Sequence, residues 1–553
     1  MTTDLSDPAA DRAAPAKAGQ SPLDRRRGLI LRFSRIALAL LAGAAAALAH
    51  PPFGIIVGLV GYPLLMLLSE RSGKTRGAFW MGWLAGFAYF FIGCWWVAEA
   101  FMVDPAQAWM APFAASLLPA GLGLFWGAAT ALYRRLAPTG LLRVVVFAAL
   151  FALFEWLRGH VLTGFPWNPA GATWGAGSAG SQFASVAGVY GLGVVTVAAA
   201  CAFGPLFGPG LRKARIGAAL AGLLVFAALI GFGAFRLAEA RVVNTDVLIR
   251  IVQADISQAA KWTPQAYQSI VDRYVSLTAS PPLAGAGGRR ADVVVWPEGA
   301  LPSSANSVFG EGSLDAVAIA GALSPGQTLL IGLPRGEAAA SPGQPDRYYN
   351  SLFALHDEGD AGLRITALYD KYRLVPFGEY MPLGDLMGAI GIRKLVHMAE
   401  DFSSGPRPSP ITLPNAPPVQ PLICYESLFP GFTPAAGDRP RWIVNVSNDA
   451  WFGQTSGPLQ HLNLASYRAI ETGLPVVRAT PTGVSAMIDP WGRVIGEQRL
   501  NSGQSGVIDA FLPEPAAVTF YGKTGDLLFW LMVVGGLGGG VPTVLRRRSG
   551  RVG

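Results

Sequence analysis

Charged residues are scarce in this chain of 553 residues: they make up 14% of it, whereas apolar residues make up 51%. Soluble globular proteins carry about a quarter charged residues, so the composition argues against a soluble enzyme and for a membrane protein. The formal net charge of +8 does not indicate nucleic-acid binding, because the basic residues lie in short clusters beside apolar runs. Such clusters are typical of the connections between transmembrane helices.

Cysteine and histidine are also rare, with three and five residues. Cys94 and Cys201 lie within apolar runs, and we interpret them as small buried side chains. Cys424 lies in the more polar second half of the chain without a partner there for a disulfide, so this lone thiol calls for a chemical role. No Cys and His spacing typical of zinc occurs, and no glycine-rich phosphate loop precedes a helix. We therefore expect neither a metal nor another cofactor.

Long apolar runs dominate the first half of the chain. A helix needs about 20 apolar residues to cross the hydrocarbon core of a bilayer, and most of the runs reach this length. The eight runs lie near residues 28–49, 54–69, 78–103, 108–133, 141–157, 183–208, 215–236 and 526–545. We therefore predict a multi-span α-helical membrane bundle of about eight transmembrane helices. Ala47-Leu48-Ala49 also resembles a signal-peptide cleavage site, and loss of the first run would leave the orientation of the rest unchanged.

The connections between these runs alternate in charge. Basic residues cluster at 25–35, 71–76, 134–135, 212–215 and 546–548, whereas connections 50–53, 104–107 and 159–182 contain no Lys or Arg. The positive-inside rule then places both termini in the cytoplasm and segment 237–525 on the opposite face. The predicted organisation is a disordered cytoplasmic tail at 1–28, a membrane domain with seven transmembrane helices at 29–240, a periplasmic domain at 245–515, a last transmembrane helix at 524–546 and a cytoplasmic tail at 547–553.

Residues 245–515 follow a different pattern, in which short β-branched runs alternate with helical segments. One helical face follows Thr263-Pro264, and a second helix is predicted from Pro458 to a stop at Gly473. Strands mixed with helices over about 270 residues predict one α/β or α+β domain. The predicted strands are 247–252, 293–296, 328–333, 363–369, 442–446 and 484–488.

Three segments of this domain combine residues that carry chemistry. A strand pattern at 293–296 leads through a proline to Glu298, although this residue alone could equally be a solvated turn carboxylate. Residues 369–380 place Lys371 among aromatic and acidic side chains. In segment 421–430 an apolar strand meets a short helical turn at Cys424, and we expect the positive end of that helix to favour the thiolate.

Together these segments supply a nucleophile, a carboxylate base and a cation. Glu298 can take the proton of the Cys424 thiol. The Lys371 ammonium can stabilise the oxyanion that forms when sulfur attacks an ester or amide carbonyl. A Cys–His arrangement is less favoured, because none of the histidines of this domain lies in a segment typical of a catalytic site; these are His356, His397 and His461.

The segments Trp296-Pro297-Glu298, Asp370-Lys371-Tyr372-Arg373 and Ile423-Cys424-Tyr425-Glu426 resemble the Glu-Lys-Cys triad of the nitrilase superfamily. With membrane spans on both sides, the chain is similar to the apolipoprotein N-acyltransferase family within that superfamily. The resemblance implies a nitrilase-like αββα sandwich domain with Glu298 as general base, Lys371 as the stabiliser of the tetrahedral intermediate and Cys424 as nucleophile. It further implies substrate-binding or supporting positions at Glu379, Tyr425, Glu426, Trp262, Asn448, Trp451 and Phe452.

The same resemblance implies a ping-pong reaction in the bacterial inner membrane. Cys424 would take the sn-1 acyl chain of a phospholipid, expected to be phosphatidylethanolamine, and pass it to the α-amino group of the diacylglyceryl-cysteine of an apolipoprotein. The implied partners are thus a phospholipid, an apolipoprotein and the membrane, without nucleic acid. Two alternatives stay open. A membrane-anchored amidase would need only one span, and a transporter with an inert nitrilase-like domain usually carries charged residues at mid-membrane.

Overall fold

The structure is a computed structural model. It describes residues 22–136, 138–208, 210–261, 263–339, 341, 346–382, 401–434 and 437–539. Most of the predicted N-terminal tail, the predicted C-terminal tail, Trp262 and His397 lie outside the described residues.

Helices form the first half of the chain and its described C-terminal end. Small residues let neighbouring helices approach closely, as membrane helices commonly do: a Cβ added at Gly86 would lie 2.9 Å from the Cα of Gly123. The helices of this bundle are α1 Pro22–Leu48, α2 Gly61–Glu70, α3 Thr75–Cys94, α4 Glu99–Met102, α5 Ala111–Leu136, α6 Leu142–His160, α7 Ala184–Cys201 and α8 Arg212–Ala238, with α14 Phe520–Thr524 and α15 Leu527–Gly538 after the second domain.

Five segments in the described ranges are helical, long and apolar enough to cross a membrane. They are Arg26–Leu48, Thr75–Met102, Ala108–Leu136, Ala184–Phe207 and Arg212–Ala238. The membrane bundle is thus confirmed, whereas the predicted number of eight spans is not. Helix α6 has sufficient length but carries Arg143, Glu155 and Arg158, the last two paired at 3.9 Å. Apolar helices Ile56–Glu70 and Leu527–Gly538 are shorter than a span.

The second domain contains two mixed sheets. In the described part of the chain the first has the strand order β12-β1-β2-β3-β4-β5 and the second the order β11-β10-β9-β8-β7-β6. The strands are β1 Asn244–Gln253, β2 Val293–Val295, β3 Thr328–Glu337, β4 Arg347–Asp357, β5 Leu363–Asp370, β6 Ile411–Leu413, β7 Ala416–Ile423, β8 Trp442–Val446, β9 Val476–Ala479, β10 Ser485–Ile488, β11 Val494–Leu500 and β12 Gly506–Pro513.

The two sheets pack face to face between helices. Ile251 and Val295 of the first sheet share one buried cluster with Val444 and Val477 of the second. The outer face of the first sheet packs against helical residues such as Tyr274. The helices of this domain are α9 Gln258–Lys261, α10 Tyr267–Ala279, α11 Ala305–Val308, α12 Leu314–Ala322 and α13 Gly457–Thr472. This layering confirms the expected α/β sandwich. Helix α13 ends before Gly473, as predicted, and Gly473 adopts a left-handed conformation.

Helix α13 joins the second sheet to the membrane bundle. The side-chain oxygen of Gln460 accepts hydrogen bonds from the indole nitrogens of Trp96, at 3.1 Å, and Trp167, at 2.8 Å. The carboxylate of Glu471 accepts one at 2.9 Å from the backbone of Val189. Apolar residues of both domains belong to one buried cluster, so the bundle serves as the outer layer over the second sheet.

Candidate active site

The three predicted site residues follow strands whose carboxyl ends lie at the same end of the sandwich. Glu298 follows β2, Lys371 follows β5 directly, and Cys424 follows β7 directly. The ammonium of Lys371 lies 3.2 Å from a carboxylate oxygen of Glu298, and the negative charge of Glu298 acts on the thiol of Cys424. All three side chains are buried. The structure therefore brings the predicted nucleophile, base and cation together.

The backbone turns sharply at Cys424. Its φ of +50° lies in the left-handed region, which costs about 1–2 kcal/mol for a residue with a side chain. Such strain persists only where the surroundings over-determine it. Here the turn connects β7 to a 3₁₀-helix at Cys424–Leu428, and it places the thiol at the end of the sheet beside Glu298.

Glu298 is held as a carboxylate. One of its oxygens accepts hydrogen bonds from the amide of Asn350 at 2.7 Å and from Lys371 at 3.2 Å, and the other accepts from the backbone of Asn448 at 2.7 Å. Burial alone would raise the pKa of Glu298, but the charge of Lys371 and these hydrogen bonds hold the pKa below its ordinary value. An ionised carboxylate next to a thiol can act as a proton acceptor.

Lys371 stands between two carboxylates. Its ammonium contacts Glu298 and, at 2.8 Å, the carboxylate of Glu379. Burial would lower the pKa of Lys371, but the two carboxylates raise it, so the side chain is charged. An ammonium has three donors, and these two carboxylates account for two of them. The third can therefore serve an oxyanion in the site.

The expectation that the helix end favours the thiolate is wrong for the resting site. Burial, followed by the negative charge of Glu298, raises the pKa of the Cys424 thiol above its ordinary value. The helix after Cys424 is only five residues of 3₁₀-helix, so its dipole is weak. The thiol is therefore neutral at rest.

Glu426 connects the cysteine turn to the lysine segment. One carboxylate oxygen accepts hydrogen bonds from the hydroxyl of Tyr369 at 2.7 Å and from two backbone amides, of Tyr372 at 2.8 Å and Arg373 at 3.1 Å. The other oxygen accepts from the backbone of Ile423 at 2.7 Å. These bonds fix the separation of the two segments.

The remaining predicted residues surround this centre. Tyr425 points to the bundle and donates a hydrogen bond to the carbonyl of Gly164 at 2.7 Å. The side chain of Asn448 donates to Gln258 at 3.0 Å. Phe452 packs between the bundle and α13, 4.6 Å from the ring of Trp96. Trp451 lies half-buried on the same 3₁₀-turn. Trp262 lies outside the described residues.

Three residues of the site were missed in the sequence. Asn350 on β4 donates to Glu298 and to Glu379, both at 2.7 Å. Lys261 is a second buried lysine, whose ammonium donates to the carbonyl of Gly299 at 2.7 Å; burial lowers its pKa to about 8. His461 contacts the carbonyl of Cys424 at 3.2 Å and the carboxylate of Asp449 at 2.9 Å. No local pattern in the sequence singles out these positions, since each is defined by a contact with a distant segment.

His461 does not form a Cys–His pair with the nucleophile. Its ring reaches the backbone carbonyl of Cys424 and the hydroxyl of Ser427 at 3.1 Å. Burial and then the charge of Arg478 lower its pKa, so the ring is neutral. His461 therefore supports the backbone of the turn at Cys424. His356 is hydrogen-bonded to Thr328, the first residue of β3. It therefore lies at the end of the first sheet that is opposite to Glu298.

The fold and site define an enzyme of the carbon-nitrogen hydrolase class, with a cysteine, a carboxylate and a lysine at the edge of a two-sheet sandwich. Residues 248–513 match the family described as carbon-nitrogen hydrolase, and residues 42–202 match the N-terminal domain of apolipoprotein N-acyltransferase. The chain belongs to the apolipoprotein N-acyltransferase family.

Relatives of this family align with nearly the whole chain. The apolipoprotein N-acyltransferase of Caulobacter vibrioides is 50% identical over 505 residues, which cover 90% of this chain and 92% of the relative. The corresponding protein of Rhodopseudomonas palustris is 40% identical over 90% of this chain and 94% of the relative. That of Brucella melitensis is 40% identical over 88% of this chain and 91% of the relative.

Proposed function

We propose that this protein is an N-acyltransferase that moves an acyl chain from a phospholipid to the α-amino group of an apolipoprotein. The observation that carries the proposal is the convergence of Glu298, Lys371 and Cys424 in a buried site beside the contact with a membrane bundle. The relatives that align with the whole chain carry this activity in their name. The chemistry of the site and the family therefore agree.

In the first half-reaction, Glu298 takes the thiol proton while the sulfur of Cys424 attacks the ester carbonyl of the phospholipid. The carbonyl oxygen becomes negative and accepts the third hydrogen bond of the Lys371 ammonium. A donor in this position typically lowers the barrier by about 3–4 kcal/mol. The intermediate then expels the alcohol of the lysophospholipid, which takes the proton back from Glu298, and the acyl chain remains on sulfur as a thioester.

In the second half-reaction, the α-amino group of the diacylglyceryl-cysteine attacks the thioester. Glu298 takes a proton from the attacking nitrogen, Lys371 again stabilises the oxyanion, and the sulfur leaves as the new amide forms. The proton on Glu298 returns to the thiolate, because the pKa of Cys424 is raised. The same base and the same donor thus serve both half-reactions.

The contact with the bundle suits lipid substrates. Both substrates are held in a bilayer, and a thiol fixed at the bilayer surface meets their acyl and amino groups at high effective concentration. We place the protein in the bacterial inner membrane with residues 245–515 as its periplasmic domain, from the alternation of basic connections. The sn-1 chain of phosphatidylethanolamine is the proposed donor.

The test is intact-protein mass spectrometry of the purified enzyme with phospholipid. We expect one acyl adduct that maps to Cys424, and we expect a diacylglyceryl-cysteine peptide to remove it with formation of the acylated peptide. Cys424→Ala should form no adduct. Cys201→Ala is the matched control, because this cysteine is buried in the bundle, and it should react like the wild type.

Each rival predicts a different result. An amidase would lose the adduct to water at the same rate with and without the peptide, and would release free fatty acid. A transporter would form no adduct. Its Cys424→Ala variant would still support the growth of cells that depend on lipoprotein maturation. Either of these outcomes would overturn the proposal.

A further inference from the structure

A cavity of about 530 Å³, lined in part by charged side chains, lies between two connections of the bundle. One wall includes residues 138–141, which precede α6, and the other includes residues 205, 210 and 211, which precede α8. Helix α6 starts at this cavity and ends near Gly164, which contacts the two-sheet domain. A helix of this length spans about 27 Å, so the cavity and the active site are separate.

The charge of the cavity is mainly positive. Three guanidinium groups line it, from Arg134, Arg143 and Arg215, against the single carboxylate of Glu70. That carboxylate is already satisfied: one oxygen accepts from the hydroxyl of Tyr133 at 2.6 Å, and the other pairs with Arg143 at 3.0 Å. Glu70 therefore orients Arg143 and leaves an excess of positive charge.

Several hydrogen-bond donors in the cavity remain available. The Nε atom of Arg215 is buried without a hydrogen-bond partner among the described residues, although another nitrogen of this side chain donates to the carbonyl of Leu206. Arg134 uses its Nε to bind the carbonyl of Ser72 at 2.7 Å. Helix α8 begins at the cavity without a side-chain cap, and the first amides of a helix attract anions. An unsatisfied buried donor is costly, so the arrangement points to an anionic ligand.

The rim of the cavity is apolar and exposed. Leu141 is 51% and Leu211 is 80% exposed, and both line the cavity. In a membrane bundle, exposed leucines at a polar opening contact lipid. A soluble phosphate compound would leave them without a partner, whereas a phospholipid presents a phosphate with acyl chains attached.

We propose that this cavity binds the phosphate headgroup of an anionic phospholipid at the end of the bundle opposite to the active site. The phosphate lies among the three arginines at the start of α8, and the acyl chains lie over the leucines of the rim. Basic pockets between membrane helices bind such headgroups in this way. The volume lies within the range of about 300–1,000 Å³ that is usual for small-molecule sites.

The experiment uses the full chain with Cys424→Ala, so that bound lipid is not consumed. Native mass spectrometry measures the binding of phosphatidylglycerol and, separately, of zwitterionic phosphatidylcholine. Arg134→Gln with Arg215→Gln should weaken phosphatidylglycerol binding about 30-fold, from the usual contribution of two basic residues, and should leave phosphatidylcholine unchanged. Arg135→Gln with Arg212→Gln is the matched control, because these exposed arginines lie on the same two helices outside the cavity.

Equal phosphatidylglycerol affinity in the two double variants would overturn the proposal. Hydrogen exchange with the cavity arginines intact gives a second test that does not depend on how the variants fold. Phosphatidylglycerol should slow exchange in segments 138–143 and 205–215, whereas phosphatidylcholine should not. Glycerol phosphate, added as a soluble competitor, should not displace the lipid; displacement would identify a soluble phosphate compound as the occupant instead.

Discussion

Asn350 is the residue that tests the electrostatics of the active site most directly. Its amide nitrogen donates to a carboxylate oxygen of Glu298 and to one of Glu379, both at 2.7 Å. In Asn350→Asp, a carboxylate of the same shape replaces the amide. A donor between two carboxylates thus becomes a third carboxylate. The change therefore alters charge with little change in packing.

The size of the effect follows from the distances. Two like charges about 4 Å apart repel by about 4 kcal/mol at the effective dielectric constant that suits protein sites, which equals about 3 pKa units. The new carboxyl thus forces a proton onto the cluster and raises the pKa of Glu298. Since Glu298, the proposed base, can accept a proton only when it is ionised, the acid limb of the acylation rate should move up by about 3 pH units. The loss should be greatest at acid pH and should shrink as the pH rises.

The assay is the rate of acyl-enzyme formation on Cys424, followed by intact mass across the pH range. Asn501→Asp is the matched control, because Asn501 is exposed and its side-chain oxygen already accepts a hydrogen bond from Arg499. This control should keep the wild-type profile. A uniform loss of rate in Asn350→Asp, with the acid limb in its original place, would refute the view that this amide keeps Glu298 ionised.

Three further predictions concern the surroundings of the site. A Cβ at Gly332 would lie 2.6 Å from the Cα of Glu298, so Gly332→Ala should cost about 1–3 kcal/mol and slow acylation at least about tenfold by moving the base. Glu426→Gln turns the acceptor for one buried amide into a donor; at about 1.5–3 kcal/mol for a bond to a charged group, acylation should fall about 10- to 100-fold. Burial lowers the pKa of Lys261 to about 8, so the folded protein loses this proton at a lower pH than the unfolded chain. The cost, about 3 kcal/mol, is present at neutral pH and is relieved as the pH rises from about 8 to about 10.5. Lys261→Met should therefore unfold at a higher temperature than the wild type at neutral pH and lose this advantage in alkali.

Each of these predictions has its own check. Gly336→Ala, on the same strand with its nearest neighbour at 3.5 Å, should acylate normally, and equal effects of the two alanines would contradict the steric argument. For Glu426→Gln, full activity would show that the two segments hold their spacing without the carboxylate. For Lys261→Met, a stability difference from the wild type that does not vary with pH would show that the lysine is not buried as a charge.

The sequence predicted the triad because each member directly follows a recognisable strand or a short turn after it. It failed to predict β4, and the reason lies in Asn350 and Ser351. These two polar residues interrupt a buried apolar run, since one serves the carboxylates and the other donates to Asp370 at 2.6 Å. The requirements of the site thus disrupted the local signal of the strand. The state of the thiol was mispredicted for a related reason, because the burial of Cys424 and its proximity to Glu298 both arise only in the folded chain.

The predicted number of eight spans is not confirmed, and helix α6 illustrates why. The apolar run at 141–157 already contains Glu155, and the helix of the structure extends past it to include Arg158; both charges face the bundle interior. Hydropathy alone does not distinguish a lipid-facing helix from one that is surrounded by other helices. Helix α6 belongs to the second kind, since most of its middle residues are buried.

The attachment of the two-sheet domain has a consequence for how the protein can be handled. Strands β1 and β12 are paired neighbours, with Asn244 opposite Pro513, so the chain leaves and rejoins the bundle at one point. The faces of α13 and of the cysteine turn that meet the bundle include Leu428, Leu462 and Ile470, all buried. A fragment cut at both ends of this domain would present these side chains to water and self-associate. Work on the reaction in solution therefore needs the intact chain in a detergent or a lipid disc.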